Sequence, residues 1–190
     1  AGTRVGAVFT EREIVVKQTK ALGRDEFAIE GASGEPLGSA KQTLRAKDLV
    51  KASRGVRVLD HTGAHVLTVE DPVNLVRDAY VVELVEPAME LARLTKRFSW
   101  VGSKWDVAIA GFPDAKIVGE PFNLNYELTS QGRPIARVDA EFSGVGRAVM
   151  GKTSYRVRME PGLDERQHAA VIGIALAIDM RREKVRRNAG

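Results

Sequence analysis

The sequence predicts a mainly β fold, about twelve strands closed into a barrel around a hydrophobic C-terminal helix. Three observations lead there. Polar and apolar residues alternate with a period of two along most of the chain, with glycine and proline punctuating the pattern. Near the carboxyl end, residues 169–178 are apolar or glycine at all ten positions. An open meander of this size would leave two unpaired edges, which closure removes.

The strands read in order. Residues 26–41, EFAIEGASGEPLGSAK, run out, turn at Ala32-Ser33-Gly34 and return. Residues 56–70 repeat the shape around Thr62-Gly63, residues 80–95 around Pro87, and residues 105–119 around Phe112-Pro113-Asp114. Residues 122–140 turn at Gln131-Gly132-Arg133, and single strands at 14–18 and 154–160 complete the set. Between them, residues 43–53 (TLRAKDLVKAS) place Ala46, Leu49, Val50 and Ser53 at helical spacing, predicting a short helix. Residues 142–151 are too glycine-rich to assign.

The carboxyl end differs in kind. Pro161-Gly162 breaks the last strand, Asp164 suits an N-cap, and a helix is expected from there to about Arg187. A helix apolar on every side must be surrounded by protein, so it is expected to fill the barrel. Val171, Ile172, Ile174, Leu176 and Ile178 are its core candidates, while Ala169, Ala170, Gly173, Ala175 and Ala177 keep it thin. The ten apolar positions are half the roughly twenty a membrane-crossing helix needs, so no transmembrane span is expected. Asp179 follows the run, near the barrel mouth, and reads as a hydrogen-bonded carboxylate fixing the helix against loops.

Composition bounds the function. A length of 190 residues fits one domain over 1–190, with a core of about 12–184 and a basic tail at 181–190. No cysteine is present, which excludes disulfides, thiolate zinc sites and cysteine nucleophiles and suits a reducing, cytoplasmic setting. The first residues, AGTRVGAVF, lack the basic-then-apolar order of an export signal. The net charge of +4 resides in the last ten residues, where five basic side chains face Glu183 alone; the other 180 residues balance 24 against 24. A neutral body has no broad field for a phosphate backbone, so no nucleic-acid partner is expected.

The segment YRVRMEPGLDERQHAAVIGIALAIDM, residues 155–180, is similar to the final strand and helix of phospholipid scramblases and their bacterial relatives. EFAIEGASGEPLGSAKQTLRAKDLVKA and VRVLDHTGAHVLTVEDPV fit the same pattern, and the likeness covers roughly residues 14–184. The chain thus resembles the group of tubby C-terminal domains, scramblases and LURP-one-related proteins, which implies a twelve-stranded barrel around a hydrophobic C-terminal helix. Two departures limit what carries over. Where scramblases cluster aspartates before the final helix, this chain has Lys152-Thr153-Ser154 and only Asp164 beyond, too few oxygens for calcium. Their lipid-modified cysteines have no counterpart, and no phosphoinositide-binding residue of tubby domains can be matched.

Other motifs compete with this reading. Residues 146–153, GRAVMGKT, satisfy the phosphate-loop pattern, and ALAID at 175–179 resembles the acidic strand that holds Mg²⁺. A working loop must open a helix, yet residues 154–159 alternate like a strand. DHTGAH at 60–65 sets Asp60 opposite His65 with His61 alongside; only distant His168 could add a ligand, so a solvated hairpin tip is expected and no metal site. Ser143 lacks a nucleophile elbow and partners. Lys41, Arg45, Lys47, Lys51, Arg54 and Arg57 stand against Asp48 alone, and the C-terminal arginines form a second cluster. Either could approach anionic headgroups, each basic residue adding about 1 kcal/mol near the surface; the bland alternative is a solvated charged face with a frayed tail.

The expectation is therefore a non-enzymatic module, without cofactor or catalytic residues, associating with phospholipid at the cytoplasmic face of a membrane. A structural or protein-interaction module is the first rival. A nucleotide-binding enzyme using residues 146–153 is the second.

Overall fold

The computed structural model describes residues 7–20, 26–44, 54–71, 79–97, 104–141 and 153–189. Twelve strands lie in one sheet: β1 (Glu13–Lys20), β2 (Glu26–Gly31), β3 (Pro36–Leu44), β4 (Arg54–Asp60), β5 (His65–Asp71), β6 (Ala79–Leu84), β7 (Met89–Arg97), β8 (Lys104–Ile109), β9 (Ala115–Glu120), β10 (Asn125–Ser130), β11 (Arg133–Ala140) and β12 (Ser154–Met159). Their order is β8-β7-β6-β5-β4-β3-β2-β1-β12-β11-β10-β9, antiparallel throughout. The result is a nearly closed barrel with a single C-terminal helix, α1 (Glu165–Asn188).

Alternation explains the strands. Phe27, Ile29 and Gly31 of β2, Leu67, Val69 and Asp71 of β5, and Tyr155, Val157 and Met159 of β12 turn inward while their neighbours face out. The β10–β11 turn puts Gln131 at φ 51 and Gly132 at φ 75, the left-handed pair that matches strand twist in a two-residue hairpin. Residues 43–53 do not begin a helix as their spacing predicts: Thr43 and Leu44 end β3, paired with Gly55 and Arg54. Pairing with β4 holds these two residues in the sheet, and residues 45–53, which carry the helical spacing, and 142–152 lie outside the described set.

Closure is made where the sequence is silent. β1 and β12, about 140 residues apart, form a ladder from Glu13↔Arg158 to Lys17↔Ser154. The consecutive strands β8 and β9, which read as a hairpin, are instead the two ends of the sheet; the isolated bridge Ile109↔Phe112 lies within the connection between them. Gly111 (φ 80) and Asp114 (φ 50) bend the connection, and a Cβ at Gly111 would sit 3.5 Å from Gln167 Nε2. The Phe112 amide donates to the Ile109 carbonyl at 3.1 Å in a tight turn at the end of β8, and this turn lies against the start of α1.

Helix α1 starts in a reciprocal cap. Asp164 accepts the Gln167 amide at 2.8 Å, and Gln167 Oε1 accepts the Asp164 amide at 2.9 Å. Every residue from His168 to Asp179 is buried, with Val171, Ile172 and Ile174 at 0% exposure. The helix packs against β5, β6 and β7. At Gly173 an added Cβ would lie 2.2 Å from Val82 Cγ1, so the contact with β6 needs glycine. Val8 and Phe9, in a buried 3-10 turn that the sequence does not announce, join the same core.

Candidate functional site

Of the six basic headgroup candidates, the structure describes the side chains of two. Lys41 on β3 and Arg57 on β4 are cross-strand partners, and their neighbours Ala40, Val56 and Val58 point into the core. The two cations therefore stand side by side on the outer face, Lys41 exposed and Arg57 half-buried. Neither makes an ion pair among the described residues. Arg54 opens β4, opposite Leu44 and Asp71 in register. Arg45, Lys47 and Lys51 lie outside the described residues.

Elsewhere on the barrel, several cations are matched. On the outer face of β1, β11 and β12, Arg156 bridges Glu13 and Glu141, while Arg158 reaches Glu13 and Asp139, each at 3.7 Å. The Arg156 guanidinium holds the Glu13 carboxyl below the usual carboxylate range. The described side chains of the C-terminal cluster are also engaged, and the chain is helical to Asn188 rather than frayed. Lys184 meets Asp71 at 3.5 Å, Arg186 meets Glu183 at 3.2 Å, and Arg181 lies 5.9 Å from the Trp105 ring centre. Its charges serve the fold first.

The rival motifs lose their chemistry in three dimensions. Residues 146–152 lie outside the described set, but Thr153 leads directly into β12, so no helix N-terminus opens at the end of GRAVMGKT to bind phosphate. The stretch 175–179 is buried helix, not an acidic strand. In the 60–65 hairpin, His65 pairs in register with Leu59, not with Asp60. Asp60 Oδ1 accepts from Thr62 N (2.9 Å), Thr62 Oγ1 (2.6 Å) and Ala64 N (3.0 Å). Those bonds, the Thr62 hydroxyl foremost, lower its pKa and shape the turn. His65 Nε2 lies 3.1 Å from the Leu67 carbonyl and 2.9 Å from the Thr68 hydroxyl. His168 is buried on α1, its Nδ1–H donating to the Phe9 carbonyl at 2.7 Å, so it does not join His61 and His65. Ser143 lies outside the described residues.

A second polar region, at the end of the apolar run, was not visible as a motif. Asp179, 2% exposed, accepts from Arg182 Nη1 at 3.3 Å. Arg182 also donates to Thr153 Oγ1 at 3.1 Å and to the Phe122 carbonyl at 3.0 Å. Thr153 and Gln18 are tied twice: the Gln18 amide donates to the Thr153 carbonyl at 2.9 Å, and the Thr153 amide to Gln18 Oε1 at 3.2 Å. Burial pushes up the pKa of Tyr126 and Tyr155, and the nearby Asp179 charge adds to both shifts. One helix turn thereby locks β1, β12 and the loop before β10 together. The place of Asp179 at the end of the apolar run, which read as a hydrogen-bonded carboxylate, and its i, i+3 spacing to Arg182 were the signals available in the sequence.

A nearly closed twelve-stranded antiparallel barrel around one apolar C-terminal helix defines the class of protein. A family model described as LURP-one-related matches residues 12–179, and the chain belongs to that family. Among solved structures, it is similar to the X-ray structure of a protein from Arabidopsis thaliana, with 16% identity, 94% of this chain and 99% of that chain covered, and a TM-score of 0.56. That likeness concerns the fold alone. No curated protein matches the chain. No helix among the described residues is long and apolar enough to cross a membrane.

Proposed function

We propose that this domain is a non-enzymatic module that associates peripherally with anionic phospholipid at the cytoplasmic face of a membrane, related in kind to tubby domains and scramblases. The observation that carries this reading is the pair Lys41–Arg57, side by side on the outer face of β3 and β4, with Glu26 of β2 the one carboxylate in register with Lys41. Arg45, Lys47, Lys51 and Arg54 lie close in sequence to the same strip and would add to its charge. Attraction of this kind contributes about 1 kcal/mol per basic residue near the surface and is screened within a Debye length of roughly 10 Å at 0.1 M salt. The apolar part of α1 takes no part, because it is committed to the protein's own core.

Vesicle flotation tests the reading. The protein should float with phosphatidylserine-rich vesicles at low salt and not with phosphatidylcholine vesicles, and 0.5 M salt should release it. The double substitution Lys41→Glu/Arg57→Glu, at one exposed and one half-buried position of the outer face, should abolish flotation without changing thermal stability by more than a few degrees. Equal, negligible flotation with both vesicle types at low salt removes the proposal and leaves a protein-interaction role in its place.

A further inference from the structure

We infer that ordered water, one or two molecules shared between the Tyr126 and Tyr155 hydroxyls and Asp179, occupies a built site inside the barrel beside the last buried turn of α1. Tyr126 is 1% exposed on β10 and Tyr155 is 0% exposed on β12, and each phenol oxygen is fully buried without a hydrogen-bond partner among the described residues. Both face inward. Tyr126 is level with Val138 on β11, Val138 is level with Val157 on β12, and Tyr155 is the next inward position from Val157. Asp179 approaches from the helix side, where Arg182 joins it to Thr153, two positions before Tyr155 on the same face.

The chemistry selects an uncharged guest. Asp179 and Arg182 already neutralise one another at 3.3 Å, so a cation would meet the guanidinium and an anion the carboxylate. Two phenols that can donate, facing a carboxylate that can only accept, match water, which does both. Each buried hydroxyl left without a bond lowers the folding equilibrium by about tenfold or more, and native interiors place water at such points. Ser154 Oγ is also buried without a partner, but it lies on the opposite face of β12 from Tyr155 and belongs to another environment. The inference is independent of any lipid role.

Tyrosine-to-phenylalanine substitutions decide the matter by sign. Tyr126→Phe and Tyr155→Phe remove an oxygen without changing the ring. With shared water, each should lower the folding equilibrium constant about tenfold in urea titrations. The double variant should then lose clearly less than the product of the two single losses, because one guest serves both groups. Oxygen-17 relaxation dispersion should detect long-lived internal water in the wild type, and that signal should fall in the double variant. Stability that is unchanged or raised in the single variants, losses that simply multiply, or an unchanged water signal would each overturn the inference.

Discussion

The two halves of α1 differ in what holds them. From His168 to Asp179 every side is enclosed by the sheet; from Met180 to Lys184 the helix is half-buried, and Val185 and Arg186 are exposed. The first half is held by area: burying each of Val171, Ile172, Ile174, Leu176 and Ile178 contributes about 1.5–3 kcal/mol. The second half is held by charge pairs whose exposed members contribute roughly 0–1 kcal/mol each. The first half therefore decides where the helix goes, and the second only trims its exit. A cluster of arginines at a chain end is then no sign by itself of a partner-seeking arm.

Substitutions should break this contrast in graded steps. Ile172→Asp places an unpaired carboxylate in a fully buried position and should abolish the cooperative unfolding transition followed by circular dichroism. Leu176→Ala should lose about 2–5 kcal/mol in urea denaturation through the cavity it leaves. Gly173→Leu should cost at least about 1–3 kcal/mol, since Val82 must move to admit it. Asp164→Ala removes the cap and should cost about 1 kcal/mol. Arg186→Ala, in the exposed half, should stay within about 0.5 kcal/mol of the parent.

Alkaline pH sharpens the same comparison. The folded pKa values of Tyr126 and Tyr155 lie above the unfolded value of 10. Above pH 10 the unfolded chain releases protons that the folded state keeps, so stability is full below that pH and declines as pH rises. The slope for each tyrosine approaches about 1.4 kcal/mol per pH unit. Urea midpoints should therefore fall steadily from pH 10 to 11.5, and Tyr155→Phe should flatten the decline.

What the sequence made legible was what repeats locally. Alternation marked the strands, left-handed turn residues such as Gly63 and Gly132 marked reversals, and the absence of polar residues over 169–178 marked the buried helix. Long-range choices were hidden. Nothing in residues 13–17 specifies β12 as their partner. Nothing in residues 104–120 says that this reversal is where the sheet fails to pair. Thr43 and Leu44 open a stretch read as a short helix, yet they end β3 through their pairing with β4. Of the candidate surface, the charges were readable, but not that Lys41 and Arg57 would be brought shoulder to shoulder while Lys184 turned back to Asp71. Tyr126, Tyr155, Thr153 and Arg182 come from distant strands and a helix, so their convergence depends on closure itself.

Amide hydrogen exchange on the protein without lipid tests most directly whether the sheet encloses the apolar half of α1. Amides of residues 169–178 should exchange only through global unfolding, with the same opening free energy as the inward-facing positions of β6 and β12, while those of residues 184–188 exchange orders of magnitude faster. Rapid exchange at 169–178, or protection that develops there only when vesicles are added, would contradict a helix enclosed by its own barrel.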